Sequence, residues 1–529
     1  MTSNANPFGE IALSLSGGGY RAAAFHLGTL DMLRRLGLLD SLKVISTVSG
    51  GTITGMWYAV SVAERKPFNE FYDLLYVFLR ENNVVAGAIE NLSTKAAVRA
   101  QPSLIKGAAE VYAHSAFLGD RRLRLLLECE DERLSELIFN ATDFRNGVSF
   151  RFGKSRSVGT VVGNRFAQIN KEIAADVRLA DIVAASSCFP SAFEPIRFPD
   201  DFDWGRISLE TVRDNLDADK AHPVFNIPVC LMDGGIFDNQ GVDSVLDVYH
   251  RKGNEVGLFL ISDTDRRSDS IYDFPPERQY FRLTFRAVAA IGWILLIVSL
   301  VTIISLALSF VRALYRPDFS VLEAIFVYII PILFAAVVAF ALIWLRVKFI
   351  ELQKTVYNMT RSDLWKFLRN ITVSELVNLL EARLSSLIAM SSSIFMKRIR
   401  DLIYKDVNVY PKYQNRVRSN LIYDLVDEAR YGAAVHEKNL IPSEALRESA
   451  AKAKDYPTNL WFFDEKDLNN LIACGQATVC FNILRYLLEC RAEELANPQS
   501  PASHLYQRAF ELWQSLNQDP FSLKQTESK

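Results

Sequence analysis

Two stretches of this chain carry no charge for longer than a water-soluble core accommodates. Ala287 to Val311 is a run of 25 residues and Ala324 to Leu345 a second of 22, broken only by Pro331. Crossing the hydrocarbon core of a bilayer takes about 20 apolar residues in a helix, and proline is tolerated in such helices. The link between the runs, Arg312 to Glu323, is short and polar. The pair therefore reads as a transmembrane helical hairpin over residues 283–350. A hairpin returns both ends to one side. Its flanks carry Arg278, Arg282, Arg286, Arg346, Lys348 and Lys354, against Arg312 and Arg316 in the link. The positive-inside bias then places the body of the chain in the cytoplasm. Trp293 and Trp344 stand near the helix ends on that side, as interfacial anchors would.

The body is organised around Glu10 to Gly55. Ile11 to Ser16 reads as a strand, followed by Gly17, Gly18 and Gly19 and then by helical spacing from Tyr20 to Leu36. A second β-rich run, Val44 to Val48, ends at Ser49-Gly50-Gly51 and leads into another helix. A serine at a sharp strand-to-helix turn is the setting of a nucleophile elbow. The usual G-x-S-x-G has Thr47 in place of its first glycine here. The glycine turn at the start of a helix offers outward N–H groups that favour negative charge. That charge is an oxyanion in acyl transfer, or a nucleotide phosphate, although Gly17, Gly19 and Ala22 do not give G-x-G-x-x-G cleanly.

Far downstream, Val229 to Met232 reads as a buried strand ending in Asp233, then Gly234 and Gly235. In open parallel sheets the carboxyl ends of strands carry the site. A carboxylate there, beside Ser49 at the end of another strand, makes a Ser–Asp dyad in which the acid takes the hydroxyl proton. His26, His222 and His250 lie nearest these motifs and none shows triad spacing.

Taken together, SGGGYRAAAFHLGTL, STVSGGTITG, AASSCFPSAFEPI (Ala184 to Ile196) and MDGGIFDNQGV resemble, in order, the motifs of the patatin-like phospholipases. The form is bacterial-type, with an inserted two-helix transmembrane hairpin. The resemblance spans roughly Ile11 to Asp263. It implies an α/β fold, a three-layer α/β/α patatin-like hydrolase sandwich with a helical C-terminal part, and lipid acyl hydrolysis. It implies Ser49 as nucleophile and Asp233 as base, with Gly17, Gly18 and Gly19 as oxyanion donors. Arg21, Gly51, Gly234 and Gly235 would support the site. No metal and no organic cofactor is called for.

The remaining segments are read more coarsely. Residues 8–270 form the hydrolase core, 355–495 a helical part packing back on it, and 496–529 a polar, frayed tail whose one helical pattern is His504 to Leu516. Phe68, Phe71, Leu74, Leu75, Phe78 and Leu79 mark an amphipathic helix, either a lid or a helix packed on the sheet. Leu123 to Glu136 looks helical. Leu137 to Thr142 and Val148 to Phe152 look like a hairpin around Asn146-Gly147, with Val158 to Val162 a further strand. Ser186 and Ser187 lack an elbow and are assigned to a site-lining turn. Phe198 to Pro228 reads as a surface excursion. Asp263 and Asp265 form a carboxylate pair, better read as a solvated strand end than as a metal site. A net charge of −2 gives no nucleic-acid signal. Six cysteines without a C-x-x-C pair suggest reduced structural thiols. The N-terminus lacks the pattern of a secretory signal. The expected partners are membrane phospholipids, as substrate and anchor, with no nucleic acid; homo-oligomerisation stays open. Two other classes also stay open: a Ser-His-Asp esterase or thioesterase acting on soluble acyl groups, and a non-catalytic membrane signalling or scaffold protein.

Overall fold

The computed structural model describes residues 6–94, 103–114, 116–156, 159–190, 192–216, 228–252, 256–266, 272–276, 283–360, 371–390, 394–410, 413 and 415–524. The chain divides into two units: Met1–Asp269 with Ser392–Lys529, and Ser270–Ser391.

The first unit is built on a sheet whose strands, in chain order, are β1 (Glu10–Leu15), β2 (Leu42–Val48), β3 (Glu136–Asp143), β4 (Val148–Ser155), β5 (Gly159–Gly163), β6 (Ile196–Phe198), β7 (Val229–Asp233), β8 (Val256–Asp263) and β9 (Val417–Leu421). The main spatial order is β5-β4-β3-β2-β1-β8-β9. The β3-β2-β1-β8-β9 part is parallel, while β4 and β5 are antiparallel. Gly147, at φ 64°, closes the β3–β4 hairpin, and Asp143 accepts from the N–H groups of Arg145 and Asn146 in the turn.

Parallel strands are covered on both faces, and β1 shows it. Ile11, Leu13 and Leu15 enter the larger core with helices α1 (Gly19–Arg35) and α2 (Gly50–Ala63). Ala12 enters a second core with Val245, Val248 and Tyr249 of the helix Val242–Lys252. The result is the expected three-layer α/β/α arrangement.

One strand departs from expectation. β7 is not parallel to its neighbour but antiparallel to β3, with Asp233 opposite Ala141. Since β4 occupies one edge of β3 along its length, β7 must share the other edge with β2. β2 pairs with that edge as far as Asn140, and β7 takes it over from Ala141 to Asp143. The two strands thus run towards each other and meet.

The chain after the second unit returns to this sheet: β9 pairs in parallel with β8. The helix Glu465–Cys490 then packs along α1. Asp467 to Glu489 reads in the sequence as one or two helices around Gly475, and it forms one. A Cβ on Gly475 would overlap the Phe25 carbonyl, and one on Gly28 that of Ile472, so the two glycines let the backbones touch. This helix has the length and apolarity of a membrane span, yet 89% of its most apolar window is buried within the protein.

Other expectations are corrected. The helical pattern of His504 to Leu516 lies within a helix, Pro501–Gln518, which is not frayed but buries Leu505, Ala509, Trp513 and Leu516. The helix expected at Leu123 to Glu136 is one turn, Arg124–Leu127, and Lys154 Nζ takes up the Leu126 carbonyl at 3.0 Å. In the excursion after Phe198, residues 217–227 lie outside the described residues. Before them, Phe198, Phe202 and Trp204 are buried against Phe150 and Phe152. The helix Phe68–Glu81 is a core helix, with Phe78 stacked on Phe117 at 4.0 Å.

The second unit holds two helices long and apolar enough to cross a membrane, Arg286–Ala313 and Val321–Glu351, each with a mean hydropathy of 2.8. They lie antiparallel: Arg346 sits 3.7 Å from the Trp293 ring centre at one end, and Phe310 meets Tyr328 at the other. A π-helical turn, Ala324–Ile329, precedes Pro331, which has no N–H to continue the α-helical ladder. After this pair the described residues are helical over Val373–Ala389 and again over Phe395–Val409, which belongs to the first unit, and residues 391–393 lie outside the described residues.

The glycine contact between α1 and Glu465–Cys490 is open to test. Gly475→Val should destabilise the first unit by about 3 kcal/mol or more, because the added carbons meet backbone rather than movable side chain. Chemical denaturation of the detergent-solubilised protein measures it; an unchanged midpoint would show that the helices can part without loss.

Candidate active site

The meeting of β2 and β7 brings Ser49 and Asp233 to one place. Ser49 follows the last residue of β2 and holds φ 51°, ψ −119°, a conformation costly for a residue with a side chain. The turn is tight because α2 starts at once. A Cβ on Gly51 would overlap the Leu15 carbonyl, and one on Gly50 that of Gly19. Both glycines are therefore steric requirements of the elbow, and Thr47, where a glycine was the usual pattern, is compatible with it. Thr47 Oγ1 pairs with Thr52 Oγ1 at 2.9 Å, tying the strand to the helix it feeds.

Behind the elbow stands Ser186, the last residue of the helix Leu179–Ser186. Its Oγ accepts from the Ser49 N–H at 3.0 Å, pairs with Thr52 Oγ1 at 2.8 Å and donates to the Asn140 carbonyl at 2.7 Å. The carbonyls of Ser186 and Cys188 accept from the N–H groups of Gly234 and Asp233. One segment thus holds both the serine turn and the aspartate turn, which is the structural content of the Ala184–Ile196 motif. Gly234 fits against the Asn140 carbonyl, where a Cβ would clash.

Asp233 is 4% exposed and Ser49 7%. Asp233 Oδ1 accepts from the Gly235 N–H at 2.7 Å. Its Oδ2 is buried and has no partner of good hydrogen-bond geometry among the described residues. Burial pushes the carboxyl up to about 6, and the nearby Ser49 hydroxyl and the Gly235 N–H hold it back. The Ser49 hydroxyl lies close enough to act on the carboxylate, while no aligned hydrogen bond joins them.

The glycine turn lies on the other side of Ser49. A Cβ on Gly17 would come within 3.1 Å of Ser49 Cβ and would overlap Asn239 Oδ1. The Gly17 N–H donates to the Asn239 carbonyl at 2.9 Å, which corrects its assignment as an oxyanion donor. The N–H groups of Gly18 and Gly19 have no acceptor among the described residues, and neither does that of Gly50, the residue after Ser49. Gly18 and Gly19 hold φ 142° and 60°, which glycine adopts freely.

Arg21 stands beside the glycine turn, a terminal nitrogen 3.7 Å from where a Cβ on Gly18 would lie. Its guanidinium is buried, donates to the Tyr456 carbonyl at 2.9 Å and is lowered to about 10 by burial. The Asn459 carbonyl accepts from the Tyr20 N–H at 2.8 Å, so the segment around Tyr456–Asn459 lies over the start of α1. His26 holds its two ring nitrogens against Ser262 Oγ (3.1 Å) and the Ser16 carbonyl (3.0 Å). Burial lowers it to about 4, so it is neutral at pH 7, donating from Nε2 to Ser16. His250 Nε2 bonds the Tyr413 hydroxyl, and His222 lies outside the described residues. Asp263 is not solvated but fully buried, ion-paired to Arg400 at 2.9 Å.

Asn140 and Asn239 were not legible as site residues, whereas Ser186 was expected in a site-lining turn and stands there. The only signal for Ser186 was its place in a serine pair before Cys188, and it was read as lining the site rather than bracing it.

Fold and geometry define a class: an α/β/α sheet protein with a strained serine turn, a buried strand-end carboxylate and open N–H groups between them and the next strand. Residues 13–246 match the family model "Patatin-like phospholipase", and the chain carries a domain of that family. Among solved structures, human GIVD cytosolic phospholipase A2 is similar over 48% of this chain and 45% of that one, at 16% identity and a TM-score of 0.32. No curated protein matches the chain.

The buttress predicts that Ser186→Ala leaves the Ser49 N–H buried without its acceptor, costing about 1–3 kcal/mol. Denaturation of the purified protein against wild type checks this. A loss below about 0.5 kcal/mol would mean that the elbow is held by the glycine packing alone.

Proposed function

We propose that this chain is a membrane-anchored serine lipid acyl hydrolase of phospholipase A or lysophospholipase type, a carboxylic ester hydrolase releasing fatty acids from glycerolipids. The observation that carries the reading is the buried, unpartnered Asp233 Oδ2 beside Ser49 at the junction of β2 and β7.

The chemistry follows from that junction. Ser49 Oγ attacks the ester carbonyl while Asp233 takes its proton. The N–H groups of Gly18 and Gly19 meet the oxyanion, where each donor contributes about 3–4 kcal/mol to the transition state. Asp233 returns the proton to the leaving alcohol oxygen, and an acyl-serine remains. Water, deprotonated by the same carboxylate, attacks the acyl-serine and releases the fatty acid. A single buried carboxylate with its pKa near neutrality suits both directions of proton transfer. The hairpin supplies proximity to a lipid surface rather than chemistry, and the charge distribution around it supports a cytoplasmic body.

Fatty-acid release from mixed phospholipid vesicles tests the reading. Ser49→Ala and Asp233→Asn should each lower release at least 1,000-fold, in the range found for loss of a triad member. Release that survives both substitutions places the chemistry elsewhere.

The pH dependence has a definite sign. Asp233 works as the anion, so kcat/KM should fall as pH drops through about 6. A profile flat from pH 5 to 8 would remove Asp233 as the base. Stability runs the other way. A carboxyl raised above its ordinary range favours the native state at low pH, and that contribution is lost as pH rises through about 6. Asp233→Asn keeps an oxygen for the Gly235 N–H and removes the buried charge. It should raise stability at pH 7 by about 1–3 kcal/mol while abolishing turnover; a lowered Tm would contradict it.

A further inference from the structure

The sheet order sets β1 between β2 and β8. The Gly17–Gly19 turn at the end of β1 is therefore flanked by Ser49, just past β2, and by Thr264, just past β8. Thr264 is fully buried and has no part in the chemistry above. Its N–H donates to Ser16 Oγ at 3.0 Å and its hydroxyl to the Gly17 carbonyl at 3.0 Å. The hydroxyl oxygen lies 2.7 Å from where a Cβ on Gly18 would stand, so the same contact excludes a side chain there.

A trans peptide points its C=O and its N–H in opposite directions. The Gly17 carbonyl and the Gly18 N–H belong to one peptide. Holding the carbonyl on the β8 side turns the Gly18 N–H to the β2 side, where Ser49 stands. The preceding peptide is pinned as well, by the Gly17 N–H on the Asn239 carbonyl. We infer that Thr264 is a positioning residue for acyl transfer, whose hydroxyl aims the Gly18 N–H at the oxyanion formed on Ser49. This rests on the hydrolase reading.

Thr264 is itself fixed from both sides. Arg400, from the helix Phe395–Val409, donates from Nε to Asp263 at 2.9 Å and from a terminal nitrogen to Asp265 at 2.5 Å. Tyr404 on the same helix adds its hydroxyl to Asp263 at 3.0 Å. The residues either side of Thr264 are thereby held by a helix that follows the apolar hairpin in the chain. The carboxylate pair that looked like a loose strand end is the clamp on this brace.

The test compares the full-length protein in mixed micelles as wild type, Thr264→Val, which keeps the shape and drops the hydroxyl, and Thr264→Ser, which keeps the hydroxyl. Two readouts are taken: kcat and KM for fatty-acid release, and the rate at which a fluorophosphonate probe labels Ser49, since its phosphoryl oxygen takes the oxyanion position. Thr264→Val should lower kcat about 100-fold with KM within about twofold, and slow labelling in parallel. Thr264→Ser should stay within about fivefold of wild type, because the donor is retained. Wild-type kcat and labelling in Thr264→Val overturn the inference. Equal impairment in Thr264→Ser overturns it too, by pointing to packing. Should Thr264→Val fail to fold, Thr264→Cys, with a weaker donor of similar size, reads the same split, and a wild-type kcat there counts against the brace. A wild type that neither releases fatty acid nor labels at Ser49 overturns the hydrolase reading itself. A labelled wild type with an unaffected Thr264→Val overturns the brace alone.

Discussion

Two strands share one edge of β3 and stop where they meet, and the rest of the first unit depends on that division. The edge of a strand offers a fixed row of hydrogen-bonding groups, so what β2 leaves unpaired after Asn140 is available to one other strand only. β7 takes the next three positions from the opposite direction. Neither strand can lengthen by a residue without displacing the other. The serine turn and the aspartate turn are thereby set against each other by backbone register, before any side chain contributes. Asn140, at the boundary, ties β2 to the segment that braces both turns: its carbonyl takes Ser186 Oγ, and its amide reaches Ser46 Oγ and the Thr47 carbonyl.

Such a junction is expensive to maintain. Ser49 sits in a sparsely populated conformation, Asp233 carries a carboxyl away from water, and Arg21 is a buried guanidinium whose Nε lacks a partner among the described residues. Each lowers stability, and each is compensated by neighbours that are packed or bonded elsewhere: the Ser186 network, the Gly50 and Gly51 contacts, the Tyr456 carbonyl. His26 belongs to the same support. Held neutral by burial, it bridges the carbonyl of Ser16, just past β1, to Ser262 of β8 and so anchors the glycine turn from below. Strain at the reacting centre and dense satisfaction around it are two sides of one arrangement.

The sequence was informative where local pattern and tertiary role coincide. Ile11 to Ser16, Val44 to Val48 and the Asn146-Gly147 turn carry their structure in their own residues, and so do the uncharged runs of the hairpin. Ser49 and Asp233 were legible because a serine before two glycines and an aspartate before two glycines each end an apolar strand. The direction of β7 was not legible, since a buried strand reads the same whichever way its neighbour runs. Nor was the role of Gly475: a glycine inside a helical pattern leaves one helix or two open, and only the α1 backbone opposite explains it. Gly17 looked equivalent to Gly18 and Gly19, and what separates them is an acceptor more than 200 residues away, at Asn239. Asp263 was misread for the same reason, because its partner Arg400 lies beyond the whole hairpin.

That separation bears on how the protein is made. β8 and β9 are neighbours in the sheet, yet the entire Ser270–Ser391 unit lies between them in the chain. When Asp263 leaves the ribosome, the outer edge of β8 is unpaired and the face of α1 that receives Glu465–Cys490 is bare. The edge stays so until Leu421 has been added, about 160 residues later, and the helix face until Cys490, about 230 residues later, which at usual elongation rates takes roughly 10–45 s. During that interval the nascent chain offers an open sheet edge and an apolar helix face to any other chain nearby. It also means that the two long apolar helices are synthesised before the sheet can close. Closure of the sheet is therefore a late event in synthesis, set by the length of the unit that lies between its last two strands.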